Sequence, residues 1–257
     1  MENQIYQRQL EFTAPSGYKY TIREQNGEDD DVLSNPSEAK TLRNISRFIS
    51  SLVTHTDATP SGRLSVDDAH NLPALDRYAI LFNSRIFSIG NELEFTYNWG
   101  EENGGEVGYI QDLEDFIFDY SQEPNEEMLK EKPKAIPYYP MGKKNKDIEI
   151  ITSSGKKLLY DLIDTSGESY LVNLPVDKIS KNQGLIARNL RVEIDGKYEK
   201  VLNFRIFSVR DMQEIRREVQ TNDPVFEGLT EITNPITGEI REISVVAIKD
   251  FFYPGEI

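Results

Sequence analysis

The 257-residue sequence has no cysteine, a single tryptophan and two histidines. Without cysteine, the chain forms no disulfide bond and has no thiol nucleophile, and it lacks the ligands of most structural zinc sites. His55 lies in a polar loop and His70 follows two aspartates on a short predicted helix, and this spacing fits no known pattern of metal ligands. We therefore expect no metal and no cofactor, with a site built from both histidines and nearby carboxylates as the alternative.

Basic residues are also scarce, since 29 Lys and Arg face 44 Asp and Glu and leave a net charge of −15. A negative net charge of this size repels the phosphate backbone of nucleic acids. The one basic run, 142–147, has no aromatic residue between its lysines that could stack on bases. No apolar run reaches the roughly 18 residues of a membrane span, and the first ten residues do not have the pattern of a signal peptide. We expect synthesis in a cytoplasm, no nucleic-acid partner and no membrane span.

Alternating and helical patterns predict an α+β fold in which β-hairpins are joined by helices. Apolar residues at helical spacing predict helices over 35–53 and 72–90, with Gly90 ending the second. A further helical region is predicted at 176–190, followed by a strand at 191–194. Alternating runs across turn residues predict hairpins over these ranges: 6–23, 94–120, 147–164 and 229–248.

A shift in composition divides the chain. The segment 121–147 is charged and contains four prolines, which is typical of a linker. It separates a predicted N-terminal α+β domain, residues 1–120, from a C-terminal α+β domain, residues 148–257. The two halves share the pattern Asn-x-Arg-Ile-Phe-Ser at 83–88 and 203–208, and the same order of predicted elements. Either the halves derive from a duplication, or α+β segments simply look alike.

Each half ends in a hairpin with the proportions of a zinc ribbon but without its ligands. In the first, 94–113, the residues Asn98, Trp99 and Gly100 occupy the place of a Cys-x-x-Cys-Gly turn. We expect Trp99 to pack with the neighbouring tyrosines where a metal would otherwise lie, because one aromatic ring buries about 150–250 Å². The hairpin is therefore interpreted as a structural part.

The sequence shows no catalytic constellation, so we expect a protein that is not an enzyme. The glycine-rich run 104–108 leads into a strand rather than a helix, unlike a phosphate-binding loop. Pairs of acids are unavoidable in a chain with 28% charged residues, and the clusters found are Glu101 with Glu102, Asp112 with Glu114 and Asp115, and Glu126 with Glu127.

Protein contacts are the alternative to catalysis, and aromatic residues are their best candidates. Phe251, Phe252 and Tyr253 are consecutive near the end of the sequence, so an extended segment would point them to alternating sides. They either complete the core of this chain or anchor a neighbouring protein, as aromatic residues do at interface centres. Trp99 is the fourth candidate for protein binding.

The segment 14–24, APSGYKYTIRE, together with the helix at 72–90 and the two hairpins, resembles the baseplate-hub assembly family of T-even-like contractile-tailed bacteriophages. The resemblance is clearest over 10–120. It departs from the family at Ala14, where members have Leu, and at the absent cysteines. It implies no catalytic residue.

This resemblance implies a non-enzymatic structural or assembly protein whose partners are other tail and baseplate proteins. Such a protein would be assembled in the host cytoplasm and located in the virion, at the tail baseplate. The alternatives are a tail-assembly chaperone that is absent from the mature particle and, in a different class, a cytosolic hydrolase with a carboxylate site.

Overall fold

A computed structural model describes residues 8–178, 180–247 and 251 of the chain. Over these residues, helices alternate with four small antiparallel sheets, which confirms the α+β class. The first half contains β1 (Gln9–Thr13), β2 (Lys19–Arg23), α1 (Gly27–Leu33), α2 (Pro36–Ala39), α3 (Arg43–Leu52), β3 (Val53–Thr56), α4 (Val66–His70), α5 (Ala74–Ser88), β4 (Glu92–Asn98) and β5 (Glu106–Asp112).

The remaining elements form a four-stranded sheet and a separate hairpin with helices between them. They are α6 (Glu126–Glu131), β6 (Ile148–Ile151), β7 (Lys157–Tyr160), α7 (Thr165–Val172), α8 (Lys181–Ala187), β8 (Arg191–Ile194), β9 (Lys197–Lys200), α9 (Val209–Asn222), β10 (Leu229–Thr233) and β11 (Ile240–Ser244). The sheets are β1-β2-β3, β4-β5, β6-β7-β8-β9 and β10-β11, each in sequence order.

The predicted helix at 72–90 is confirmed as α5, whereas the one at 35–53 is broken. α5 starts after Pro73, whose fixed φ suits a helix start, and Gly90 follows its end with a φ of 127°. The helix at 35–53 divides into α2 and α3 because Leu42 adopts the left-handed conformation, with a φ of 56°. A non-glycine residue in that region interrupts the helical hydrogen-bond ladder.

The hairpin predicted over 94–120 ends earlier than expected. β4 and β5 pair from Glu92 with Asp112 at the open end to Asn98 with Glu106 at the turn. The carboxylate of Asp112 then accepts the backbone N–H of Glu114 at 2.9 Å and starts a 3-10 turn over Leu113–Phe116. The prediction that the strand continues to residue 120 is therefore wrong.

The shared Arg-Ile-Phe-Ser sequence occupies different places in the two halves. Residues 85–88 form the last turn of α5, whereas 205–208 precede α9, whose N-cap is Ser208. In α9 the Ser208 hydroxyl accepts the N–H of Asp211 and the Asp211 carboxylate accepts the N–H of Ser208. The shared sequence thus ends one helix and precedes another, so this match does not support a duplication.

One continuous cluster of buried apolar side chains includes residues from both halves. The predicted linker contributes to it, since Ile136 and Tyr139 are buried. The Ile136 N–H donates to the Phe116 carbonyl at 2.8 Å, and the Tyr139 hydroxyl accepts the Leu75 N–H at 3.0 Å. The division into two domains stays a prediction, but segment 121–147 packs against the first half.

Candidate functional site

A groove of about 660 Å³ lies where α5 and the C-terminal end of α7 meet the segments before β10 and after β11. Most of its lining is apolar. It is formed by Leu42, Ile45, Ala74, Leu75, Arg77, Tyr78, Leu81, Ile163, Glu168, Leu171, Val172, Arg188, Pro224, Val225, Phe226, Val246 and Ala247.

The sequence of α5 explains one wall of this groove. Ala74, Leu75, Tyr78 and Leu81 are spaced so that they fall on one face of a helix, and all four line the groove. The opposite rim is apolar but open to solvent. Val172 is 74% exposed, and Val225 is 69% exposed. Apolar side chains that border a concave surface are typical of binding sites.

Arg77 and Glu168 form an ion pair that joins α5 to α7 inside the groove. Both side chains are largely buried. The Tyr78 hydroxyl donates to the other carboxylate oxygen of Glu168 at 3.3 Å. Burial and the charge of Glu168 raise the pKa of Tyr78 well above its ordinary value, so the phenol stays a neutral donor.

A second buried ion pair, between Arg188 and Asp223, lies at the bottom of the groove. The guanidinium Nε of Arg188 lies 2.6 Å from a carboxylate oxygen of Asp223, and that oxygen also accepts the Ile163 N–H at 3.0 Å. Burial raises the pKa of Asp223, while the charge of Arg188 acts in the opposite direction. The Ile163 carbonyl accepts the Ala74 N–H at 2.9 Å, which ties the floor to the start of α5.

The arrangement is suited to binding rather than to proton transfer. Each buried carboxylate is already bound by an arginine, so the groove presents paired charges and an apolar surface. An uncharged apolar segment would bury additional area there without separating either pair. Sequence reasoning missed this site, because its two ion pairs connect residues 35 or more positions apart.

Trp99 lies elsewhere, at the junction of the β4–β5 and β10–β11 hairpins, and only 4% of it is exposed. Its ring meets the Tyr97 ring edge-on at 5.0 Å, and its Nε1 donates to the Tyr109 hydroxyl at 2.8 Å. That hydroxyl donates to the Thr233 carbonyl at 2.9 Å, and the Arg241 guanidinium lies 5.0 Å from the Trp99 ring centroid. Trp99 therefore packs with the tyrosines as expected, inside its own chain; the likeness to a zinc ribbon stays a prediction.

The C-terminal candidates are only partly described. Phe251 is 1% exposed, and its ring centroid lies 5.0 Å from that of Phe82 on α5. This placement agrees with a core-closing role for Phe251. Phe252 and Tyr253 lie outside the described residues, so their predicted role as anchors stays a prediction.

Several of the residues weighed for catalysis have contacts within local structure. Asp115 accepts the side-chain amide of Gln111, and Glu126 and Glu127 lie in the first turn of α6, where acids favour the helix dipole. His70 lies 3.0 Å from the Ser46 hydroxyl, and burial lowers its pKa. Over the part of the chain that the structure describes, no group of three His, Asp or Glu could hold a metal ion, and no helix is long and apolar enough to cross a membrane.

In comparisons with known proteins, no family model, curated protein or solved structure matched this chain.

Proposed function

We propose that this protein is a non-enzymatic structural or assembly component of a contractile phage tail, and that its groove binds an apolar segment of another tail or baseplate protein. The observation that carries the proposal is the exposed apolar rim formed by Val172 and Val225 beside a groove whose charges are paired. A surface of this kind favours protein contacts, since leaving it in water costs about 25 cal/mol per Å² of apolar area.

The sequence resemblance to the baseplate-hub assembly family supplies the class of partner. The ion pair between Arg77 and Glu168 indicates that the bound segment is uncharged. A charged side chain of that segment would have to displace one of these two residues from the other. An uncharged, apolar segment meets no such competition. The location that follows from this proposal is the tail baseplate of the virion.

The substitution Val225→Asp tests the groove. It places a charge on the apolar rim, and the side chain it replaces is exposed, so folding should be preserved. We expect the amount of variant protein in purified tails to fall by about tenfold or more, as for the loss of an interface anchor. Val176→Asp is the matched control, because Val176 is 87% exposed and does not line the groove.

Quantitative mass spectrometry of the purified tails provides the measurement. Equal amounts of both variants in tails would contradict the groove as the binding site. Wild-type protein in fixed ratio to the other tail proteins supports a virion component. Wild-type protein found only in unfinished tails supports the tail-assembly chaperone.

A further inference from the structure

The β4–β5 hairpin has an outer face that the groove does not involve. Side chains alternate along both strands, so Leu93, Phe95 and Gln111 are buried while their neighbours point to solvent. A concave surface of about 820 Å³ lies along this outer face. Its lining includes Arg85, Ile89, Glu92, Glu94, Gly108 and Ile110.

Gly108 is the first unusual feature of this surface. It lies in the middle of β5, opposite Thr96, and a Cβ atom added there would meet nothing within 4 Å. Its φ is also not positive. Neither the backbone conformation nor packing within the described residues therefore requires glycine at this position. Glycine weakens a strand, and in a strand interior it often marks a place where another backbone approaches closely.

Apolar side chains beside Gly108 are open to solvent. Ile110 is 67% exposed and Ile89 is 42% exposed, and both line the concave surface. Both side chains can therefore contact apolar side chains of a bound segment, next to Gly108, which has no side chain of its own.

The outer face is also acidic. Strand alternation places Glu92 and Glu94 of β4 on it together with Glu106 and Asp112 of β5. None of these four carboxylates forms an ion pair within residues 8–178, 180–247 and 251. The face thus carries unpaired negative charge around an apolar centre, which is complementary to a basic partner.

Arg85 holds the floor of this surface in place. It is 4% exposed, and its guanidinium donates to the Gly90 carbonyl at 2.7 Å and to the Glu92 carbonyl at 3.3 Å. Among the described residues, its Nε has no hydrogen-bond partner and no carboxylate forms an ion pair with its guanidinium. One buried cation does not balance four exposed carboxylates, so the surface remains negative.

We propose that the outer face of the β4–β5 hairpin binds an extended basic segment of a partner protein. The residues at every second position of this segment face the hairpin, and they include both lysine or arginine and apolar residues. Gly108 lets the backbone of the segment lie against β5, Ile110 and Ile89 contact its apolar side chains, and Glu92 and Glu94 pair with its cations. This is a second surface, distinct from the groove, and it rests on the proposed function only in taking the partner to be a tail protein.

The test uses the full chain and a fluorescent octapeptide with the repeat Lys-Ser-Val-Ser, which puts lysine and valine on the same side of an extended chain. Binding is followed by fluorescence anisotropy. The peptide in which glutamate replaces lysine is the charge control. We expect the lysine peptide alone to bind, with an affinity that falls as salt is raised. Absence of binding by the lysine peptide, or equal binding of both peptides, would overturn the proposal.

Gly108→Val fills the open position with a residue that strands favour, so we expect an unchanged or higher melting temperature and about tenfold weaker binding. Gly27→Val is the matched control, because a Cβ at Gly27 also meets nothing within 4 Å and Gly27 lies in α1. Binding by the Gly108→Val protein at wild-type affinity would contradict a backbone approach at this strand.

Charge removal provides an independent measurement. The double variant Glu92→Gln with Glu94→Gln should bind more weakly and lose part of the salt dependence, whereas Glu101→Gln with Glu102→Gln, in the turn of the same hairpin, should bind as wild type. Equal effects of both pairs would contradict a site on this face. Val225→Asp should leave peptide binding unchanged, so failure of the groove proposal and failure of this one are separate results.

Discussion

Asp76 is a carboxylate whose environment only the folded chain creates. It is fully buried at the start of α5 and accepts the N–H of Ser16 at 3.0 Å, the Ser16 hydroxyl and the Tyr20 hydroxyl at 3.3 Å. Burial raises its pKa to about 6, although these hydrogen bonds act in the opposite direction. It therefore anchors the β1–β2 turn to α5 in a form that loses stability when it ionises.

The first prediction is that Asp76→Asn changes the pH dependence of stability. Because the folded pKa lies above the unfolded one, the folded state holds a proton that the unfolded state has released between pH 4 and pH 6. The free energy of unfolding of the wild type should therefore fall as pH rises through that window. Relative to Asp76→Asn, the fall should be about 3 kcal/mol. Urea unfolding from pH 4 to pH 7 measures it, with the exposed Asp31→Asn as control. A constant difference between wild type and Asp76→Asn across this range would contradict the assignment.

The second prediction concerns Trp99. Replacing it with alanine removes a buried ring and leaves the Tyr109 hydroxyl without its indole donor, so unfolding free energy should fall by about 3–5 kcal/mol. Trp99→Phe keeps most of the packing and loses only the hydrogen bond to Tyr109, so a smaller loss is expected. Urea unfolding followed by circular dichroism measures both variants. Near-wild-type stability of Trp99→Ala would show that the hairpin junction does not depend on this ring.

Among the helices, α8 lies inside the helical region predicted at 176–190, whereas α7 was not predicted because its helical pattern is weak. α7 contains Gly167, and its start depends on Asp164, whose carboxylate accepts the Gly167 N–H at 3.0 Å. A Cβ added at Gly167 would lie 2.6 Å from the Ala187 carbonyl oxygen at the end of α8. The two helices therefore meet backbone to backbone, and this contact appears only once both helices have formed.

The third prediction follows from that contact. Alanine normally stabilises a helix relative to glycine by about 1 kcal/mol, yet Gly167→Ala should destabilise by about 1–3 kcal/mol because backbone atoms must move. Gly184→Ala in α8 is the matched control, since its Cβ would meet only the Arg188 guanidinium at 3.6 Å. Thermal unfolding should rank Gly184→Ala at or above wild type and Gly167→Ala below it. The reverse order would show that α7 and α8 separate easily.

Across the whole molecule, the sequence pattern predicted the features that depend on residues close together in sequence. It did not predict the features that depend on contacts between distant segments. The α+β class, helix α5 and the hairpins were read from periodicity and turn residues. The 3-10 turn after Asp112 and the break at Leu42 were not, because capping and a left-handed residue interrupt an otherwise regular pattern. The groove was missed entirely, since its walls come from α5, α7 and the segments flanking the last hairpin.

The fourth prediction is that the two predicted domains unfold together. The shared core includes Phe82 of α5 and Phe251, whose rings contact each other although 169 positions separate them. Phe251→Ala should therefore lower the free energy of unfolding by about 3–5 kcal/mol. The midpoint should fall accordingly, and the transition should remain single. Fluorescence of Trp99, the only tryptophan, reports the hairpin junction, and circular dichroism reports all helices.

The decisive measurement is whether Trp99 fluorescence and circular dichroism give the same unfolding transition in urea. Exposed Ile151→Ala, in β6, is the control for loss of an apolar side chain that is 61% exposed, and it should change the midpoint little. Two separate transitions in the wild type would mean that residues 1–120 and 148–257 are independent domains and that the contacts between them are weak. A single transition that Phe251→Ala shifts would mean that Phe251 completes one shared core, because deleting one buried ring would then weaken every element that packs against it.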